Sequence, residues 1–278
     1  MSAPAAVIAS WSIASSCELP TASGVLECRV YSRGGEEAVA LVARARHGGG
    51  AGAAPSAVSA RVASVSARVP SRGVVLRVQD ACVTSEVFGS IKCDCASQLS
   101  FSLALLHTRA VVAASAGADG DTIAGVVCYL MQEGRGIGLA AKVAAYALQD
   151  GARALDTVDA NRALGLPDDA RDYGVVVDIL DDLGLRAGAG AREALGAGTA
   201  TGGGGAAALP TPLLETPQLL LLTNNPRKTE RLQALGVDLG ERLPCLLPPV
   251  GPLAASYLRT KATRMGHDIP QDFWEFGQ

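Results

Sequence analysis

Short apolar runs alternate along this chain with segments of helical spacing, and glycines mark many of the joins. Val25–Tyr31 and Ala38–Val42 read as strands joined by a turn at Ser32–Glu36, and Val74–Gln79 reads as a third strand. Gln98–Thr108 carries Leu99, Leu103 and Leu106 at helical spacing, which predicts a helix with one buried face. Ile123–Leu130 is a nearly continuous apolar run, as a buried strand is, and Gly134, Gly136 and Gly138 follow it. Leu139–Asp150 and Tyr173–Leu183 read as helices, and Gln218–Thr223 as a strand running into a helix at Arg227–Leu235. Strands alternating with helices predict an α/β or α+β class.

Two stretches break the pattern. Residues 46–73 contain GGGAGAAPSA, and residues 186–217 contain AGAGAREALGAGTATGGGGAAALPTP. Glycine-rich chain loses much entropy on ordering and brings little apolar area in return, so both are expected to be surface insertions or linkers. The alternation of Val and Ser over Ala57–Val69 leaves a strand open there.

Composition narrows the classes. The 278 residues carry 24 basic and 27 acidic side chains, a net charge of −3, so nothing global points to nucleic acid or to a membrane surface. Mean hydropathy is +0.25, but alanine accounts for most of it. No run reaches the ~18–20 strongly apolar residues of a spanning helix. Met1–Cys17 holds no Lys or Arg, unlike a secretory or mitochondrial leader, so a cytoplasmic protein is expected. Residues 1–17 read as an N-terminal tail and 18–278 as one catalytic domain bearing the two insertions.

Seven cysteines are too few and odd in number for a disulfide framework. Cys82, Cys93 and Cys95 cluster as C-x10-C-x-C. Three thiolates suit one zinc ion per chain with a fourth position open to water, whose pKa the metal lowers. A closed site completed by His107 or Cys128, or three unligated buried thiols, also fits the spacing.

Gln132-Glu133-Gly134-Arg135-Gly136-Ile137-Gly138 lies between a strand and a helix, where backbone N–H groups meet anions. Its glycines run G-x-G-x-G rather than G-x-G-x-x-G, so the dinucleotide fingerprint is not met, and an ordinary strand-to-helix turn fits equally. Thr223-Asn224-Asn225-Pro226-Arg227-Lys228 follows a strand and offers a hydroxyl, two amides and two cations. Standing alone it reads as an Asn-Pro turn with solvated basic residues. Asp168-Asp169-Ala170-Arg171-Asp172 reads as a charged helix start.

Taken in order, CVTSEVFGSIKCDC, YLMQEGRGIGLAAKVAAYALQD, DTVDANRALGLPDDARDY, LLLLTNNPRKTERLQALG and YLRTKATRMGH resemble the GTP cyclohydrolase II family, as does the opening ELPTASGVLECRVY. The resemblance implies an α+β fold with a mixed β-sheet and flanking helices. It implies a hydrolase that opens the imidazole ring of GTP, releasing formate and pyrophosphate, at the first step of riboflavin biosynthesis. Cys82, Cys93 and Cys95 would be its zinc ligands. Asp169 matches the family's proton acceptor, Arg171 its arginine at the α-phosphorus and Tyr146 a catalytic-site tyrosine. Arg77, Gln98, Glu133, Gly134, Arg135, Thr157, Thr223 and Lys228 match positions that contact GTP. Magnesium would accompany the phosphates, and a homodimer is implied. An arginine stays charged near neutral pH, so Arg171 is expected to act as an electrostatic stabiliser rather than a nucleophile.

One segment departs from the family. Its usual Arg-Val-His-Ser-Glu-Cys is here Arg77-Val78-Gln79-Asp80-Ala81-Cys82, so a histidine and a glutamate are absent. On an extended strand Asp80 points to the face opposite the missing glutamate, and is not its obvious substitute. The wording DACVTSEVFGSIKCDC is similar to the GTP cyclohydrolase II-like branch associated with uracil catabolism, which implies a pyrimidine ribonucleotide as the alternative substrate. A non-catalytic nucleotide-binding relative is the third reading. The zinc is expected at the end of Val74–Gln79, with the nucleotide between the glycine loop and Thr223–Lys228.

Overall fold

A computed structural model describes residues 10–45, 56–150, 155–167, 169–186, 217–249 and 251–274 of the chain. Three strands open it: β1 (Ser12–Thr21), β2 (Gly24–Arg33) and β3 (Glu36–Arg44), an antiparallel meander with two short turns. Gly24 is required at the first turn. Its φ is +133°, and a Cβ there would lie 2.2 Å from the ring of His107. There follow α1 (Ser56–Arg68), β4 (Val74–Asp80), the single turn α2 (Val83–Glu86), α3 (Cys95–Ser115) and β5 (Ile123–Leu130). After a 3₁₀ turn at Glu133–Gly136 come α4 (Leu139–Asp150), α5 (Thr157–Ala163) and α6 (Gly174–Asp182). The chain continues with β6 (Leu219–Leu222), α7 (Pro226–Ala234), β7 (Leu239–Leu243), α8 (Pro252–Met265) and a last 3₁₀ turn at Gln271–Phe273.

All seven strands join one sheet in the order β1-β2-β3-β5-β4-β6-β7. The β1-β2-β3-β5 pairings are antiparallel, and β5-β4, β4-β6 and β6-β7 are parallel, so the sheet is mixed, as expected. Helices cover both faces. On one, Val74, Leu76 and Val78 of β4 pack with Tyr173, Val176 and Ile179 around α6 and with Leu232 of α7. On the other, Val75, Val127 and Leu220 pack with Phe101, Leu105 and Leu106 of α3 and with Val62 and Val65 of α1. A parallel strand buried on both faces has to read as a continuous apolar run, which is why β6 is simply Leu-Leu-Leu-Leu.

Three features differ from the sequence reading. The stretch 46–73 is not merely a linker. Its residues 56–68 form a helix, because Val62, Val65 and Val69 recur at helical spacing and bury one face against the α3 side of the core. This also replaces the open strand at Ala57–Val69. Strand β1 starts at Ser12, inside the stretch read as a tail. Asp169–Asp172 do not start a helix: α6 begins at Gly174, whose N–H donates to Asp172 Oδ1. Residues 187–216 of the second Gly/Ala-rich stretch, and Asp168, lie outside the described residues. Among the described residues, no helix is long and apolar enough to cross a membrane.

Candidate active site

The parallel strands β4, β5 and β6 end at the same edge of the sheet, and the segments that follow them build one cleft there. Open sheets of this kind place ligands at the carboxyl ends of their strands. Period-two alternation on β4 sorts its polar residues. Arg77 and Gln79 continue the row of Val75 on the α3 side, whereas Asp80 continues the row of Val74, Leu76 and Val78 toward α6 and α7.

Cys82 closes the segment after β4, and the Cys93–Cys95 turn opens α3. Their three Sγ atoms lie within 4.8 Å of one another, with Cys82 and Cys93 3.6 Å apart. Zn–S bonds of ~2.3 Å in a tetrahedron separate sulfurs by about 3.8 Å, so the cluster fits a zinc ion. Cys82 carries the lowered pKa, because hydrogen bonds from Cys93 and Cys95 and the ammonium of Lys142, 3.1 Å away, outweigh its burial. His107 and Cys128 take no part: His107 packs on the β1–β2 turn, and Cys128 is buried within β5.

A polar chain braces the thiols. Arg77 donates to Gln79 Oε1 and Gln98 Oε1 at 2.6 and 2.7 Å. Gln79 donates in turn to Glu86 Oε1 at 2.7 Å, and Glu86 Oε2 accepts from the Tyr129 hydroxyl and from the N–H of Cys82. Glu86 therefore supplies a carboxylate beside the first thiol, where Ala81 has none. Asp94, between the other two thiols, accepts from Gln98 and, at 2.6 Å, from the buried Lys261 of α8.

The glycine loop needs its glycines for one close approach. Gly136 has φ +85°, and a Cβ on it would come 2.9 Å from the backbone of Ala170, whose N–H donates to the carbonyl of Arg135 at 3.0 Å. Gly134 and Arg135 are also left-handed, at φ 62° and 63°, and Arg135 is the sole non-glycine among the described residues with positive φ. Glu133 ties this loop to the thiols by accepting from Val83 N–H and from Lys142, each at 2.7 Å.

The docked segment carries Arg171. Asp169 grips its guanidinium with both oxygens, at 2.9 and 2.7 Å, and Arg171 in turn holds the Asp169 carboxyl well below its ordinary range despite burial. Across the cleft, Asn225 caps α7 by accepting from Arg227 N–H, and Pro226 occupies the first turn, so the Asn-Pro reading holds. Lys228, however, is buried rather than solvated, donating to Val78 O at 2.8 Å and Asp80 Oδ2 at 3.0 Å. Burial pulls its ammonium down to about 8, although Asp80 acts the other way. Burial together with Lys261, Arg171, Arg135 and Lys228 depresses His267 strongly, which keeps it neutral and marks the cleft as electropositive. Burial holds the Tyr146 hydroxyl up, at about 12.

The cleft wall gathers Cys82, Cys93, Cys95, Arg77, Gln98, Glu133, Gly134, Arg135, Tyr146, Arg171, Thr223 and Lys228. Asp169 stands behind Arg171 rather than on the wall. Thr157 begins α5, and its side chain lies outside the described residues. Sequence reasoning assigned no role to Glu86, Asp94, Lys142 or Lys261, although each lies inside a quoted motif. Only their residue type signalled them: charged side chains in segments that otherwise pack.

A family model described as GTP cyclohydrolase II matches residues 12–187, which includes the thiols, the glycine loop and Arg171 but not Thr223, Lys228 or Lys261. The chain is 39% identical to GTP cyclohydrolase-2 of Streptomyces coelicolor over 211 residues, covering 76% of this chain and 74% of that one. It is 39% identical over 194 residues to riboflavin biosynthesis protein RibBA of Bacillus mycoides, and 40% over 202 residues to that of Nocardia farcinica. Each match covers 70% of this chain but spans only 37% and 36% of those longer proteins. By these matches, and by a mixed sheet that gathers its motifs at one edge, the chain belongs to the GTP cyclohydrolase II family.

Proposed function

We propose that the protein is a zinc-dependent hydrolase that opens the imidazole ring of GTP and releases formate and pyrophosphate, the entry step of riboflavin synthesis. The observation that carries this reading is the convergence, in one cleft, of three thiols with Arg77, Arg135, Arg171 and Lys228. Thiols at zinc spacing suit activation of a water, and several cations from separate segments suit a polyphosphate.

Cys82, Cys93 and Cys95 would hold the zinc, which when bound supplies an activated water for attack on the electron-poor ring carbon. The chain's own residues do the rest. Asp94 and Glu86 fix the two thiol-bearing segments, and Lys142 offsets the negative charge of Cys82. Tyr146 stays protonated across the neutral range and serves as a donor at the reacting ring. Arg171 and Lys228 face the phosphates, with Asp169 holding Arg171 in register. A guanidinium so clamped keeps its charge, so Arg171 neutralises the α-phosphate rather than attacking it. Gln98, Glu133, Gly134, Thr157 and Thr223 complete the nucleotide contacts, and magnesium accompanies the phosphates. A cytoplasmic homodimer belongs to the same reading.

One observation favours a second substrate. Gln79 and Ala81 replace the histidine and glutamate of the resembled motif, and Gln79 spends both ends of its amide on Arg77 and Glu86. That favours a pyrimidine ribonucleotide. The experiment is incubation of zinc-loaded protein with GTP, reading formate and the diaminopyrimidine product by mass. Both are expected. A folded, zinc-loaded protein that leaves GTP intact and consumes a uridine nucleotide would overturn the first reading in favour of the second.

A further inference from the structure

Asp80 stands where the substrate's charge is to be met. Its Oδ2 accepts from Arg171 Nη1 at 2.8 Å and from Lys228 Nζ at 3.0 Å, the two cations facing each other across the cleft. Both contacts are ion pairs, so one carboxylate oxygen sits between two cations. Its other oxygen, Oδ1, is buried and has no hydrogen-bond partner among the described residues. Asp80 is thus held chiefly by these two charged donors, with the Tyr173 hydroxyl a longer third at 3.5 Å. Among the described residues, the other acceptor of Lys228 is the Val78 carbonyl and the remaining anion on Arg171 is Asp169, which approaches from behind. The resembled motif carries a neutral serine at this position.

We infer that Asp80 is a specificity-determining residue, an internal anion that competes with the substrate's phosphates for Arg171 and Lys228. It weakens the grip on a triphosphate and shifts preference toward nucleotides with fewer phosphates. The physical reason is that two anions then share one pair of cations in a partly water-excluded cleft. Each further phosphate brings more negative charge toward the same carboxylate. A monophosphate brings less. This inference rests on reading the cleft as a nucleotide site.

The test is calorimetric binding of GTP, GMP and inorganic tripolyphosphate to zinc-loaded wild type and Asp80→Asn, without and with magnesium. In Asp80→Asn, GTP and tripolyphosphate are expected to bind at least about tenfold more tightly while GMP changes far less. Unchanged or weaker GTP binding without magnesium overturns the inference and leaves the nucleotide reading standing. Weaker GTP binding seen only with magnesium also overturns it, making Asp80 a ligand of the nucleotide's metal. Failure of both proteins to bind any of the three overturns the nucleotide reading as well. Because Lys228 and Arg171 each lose an anionic partner in the variant, it must first show wild-type circular dichroism. Wild type alone gives a second measurement: in magnesium-free buffer GMP is expected to bind at least as tightly as GTP, and a much stronger GTP overturns the inference.

Discussion

The antiparallel and parallel halves of the sheet do different work, and the difference lies in where each puts its polar residues. In β1, β2 and β3 polar side chains alternate outward. They pair at the surface, as Arg29 does with Glu27 and Asp182, and strand β1 is exposed along almost its whole length. In β4 the polar residues lie in line with the core: Arg77 and Gln79 are buried at the cleft, where they bond to each other, to the Leu222 carbonyl, to Gln98 and to Glu86. A meander can change its outer face at small cost. A parallel strand that carries buried charge at its end ties stability and chemistry to the same side chains.

The sharpest way to break this contrast is at the thiols. Cys93→Ser is expected to abolish zinc binding and turnover together, whereas Arg171→Ala keeps zinc and loses turnover by about 10²–10³-fold. Metal analysis beside the formate assay checks both, and equal zinc loss in the two variants would contradict the separation of roles. A smaller effect follows pH. Lys228 is charged below about 8 and loses its proton above, so nucleotide affinity measured by calorimetry should be present at pH 7 and decline by up to about tenfold per unit above pH 8. A flat profile to pH 10 would mean that Lys228 does not face the phosphates. The smallest effect belongs to the meander. Tyr31→Phe removes the hydroxyl that donates to Asp182 at 2.6 Å, at a cost of about 1 kcal/mol in denaturant unfolding, with kcat unchanged. A fall in kcat there would join the two halves.

Much of the fold was legible because these strands are apolar runs bounded by glycine, and β2 to β6 fall where the pattern puts them. Strand β1, with its exposed polar face, gives no such run. Helix α1 was obscured by its small residues, since Val, Ser and Ala at mixed spacing satisfy both periods until α3 supplies a partner. In the site, the thiols, the glycine loop and Arg171 stand within short motifs. The Asp94–Lys261 pair joins residues 167 apart, and no local pattern reports such a pairing. Asp80 shows both limits: alternation gave its face, but only the tertiary fold shows which cations wait there.

That pairing also sets an order of events. Cys82, Cys93 and Cys95 leave the ribosome before Lys261, which holds the turn between the last two and is synthesised 167 residues after Asp94. A nascent chain therefore displays its three sulfurs before the brace that aligns them exists. A metal held by these thiols would meet the finished geometry only after α8 has been made.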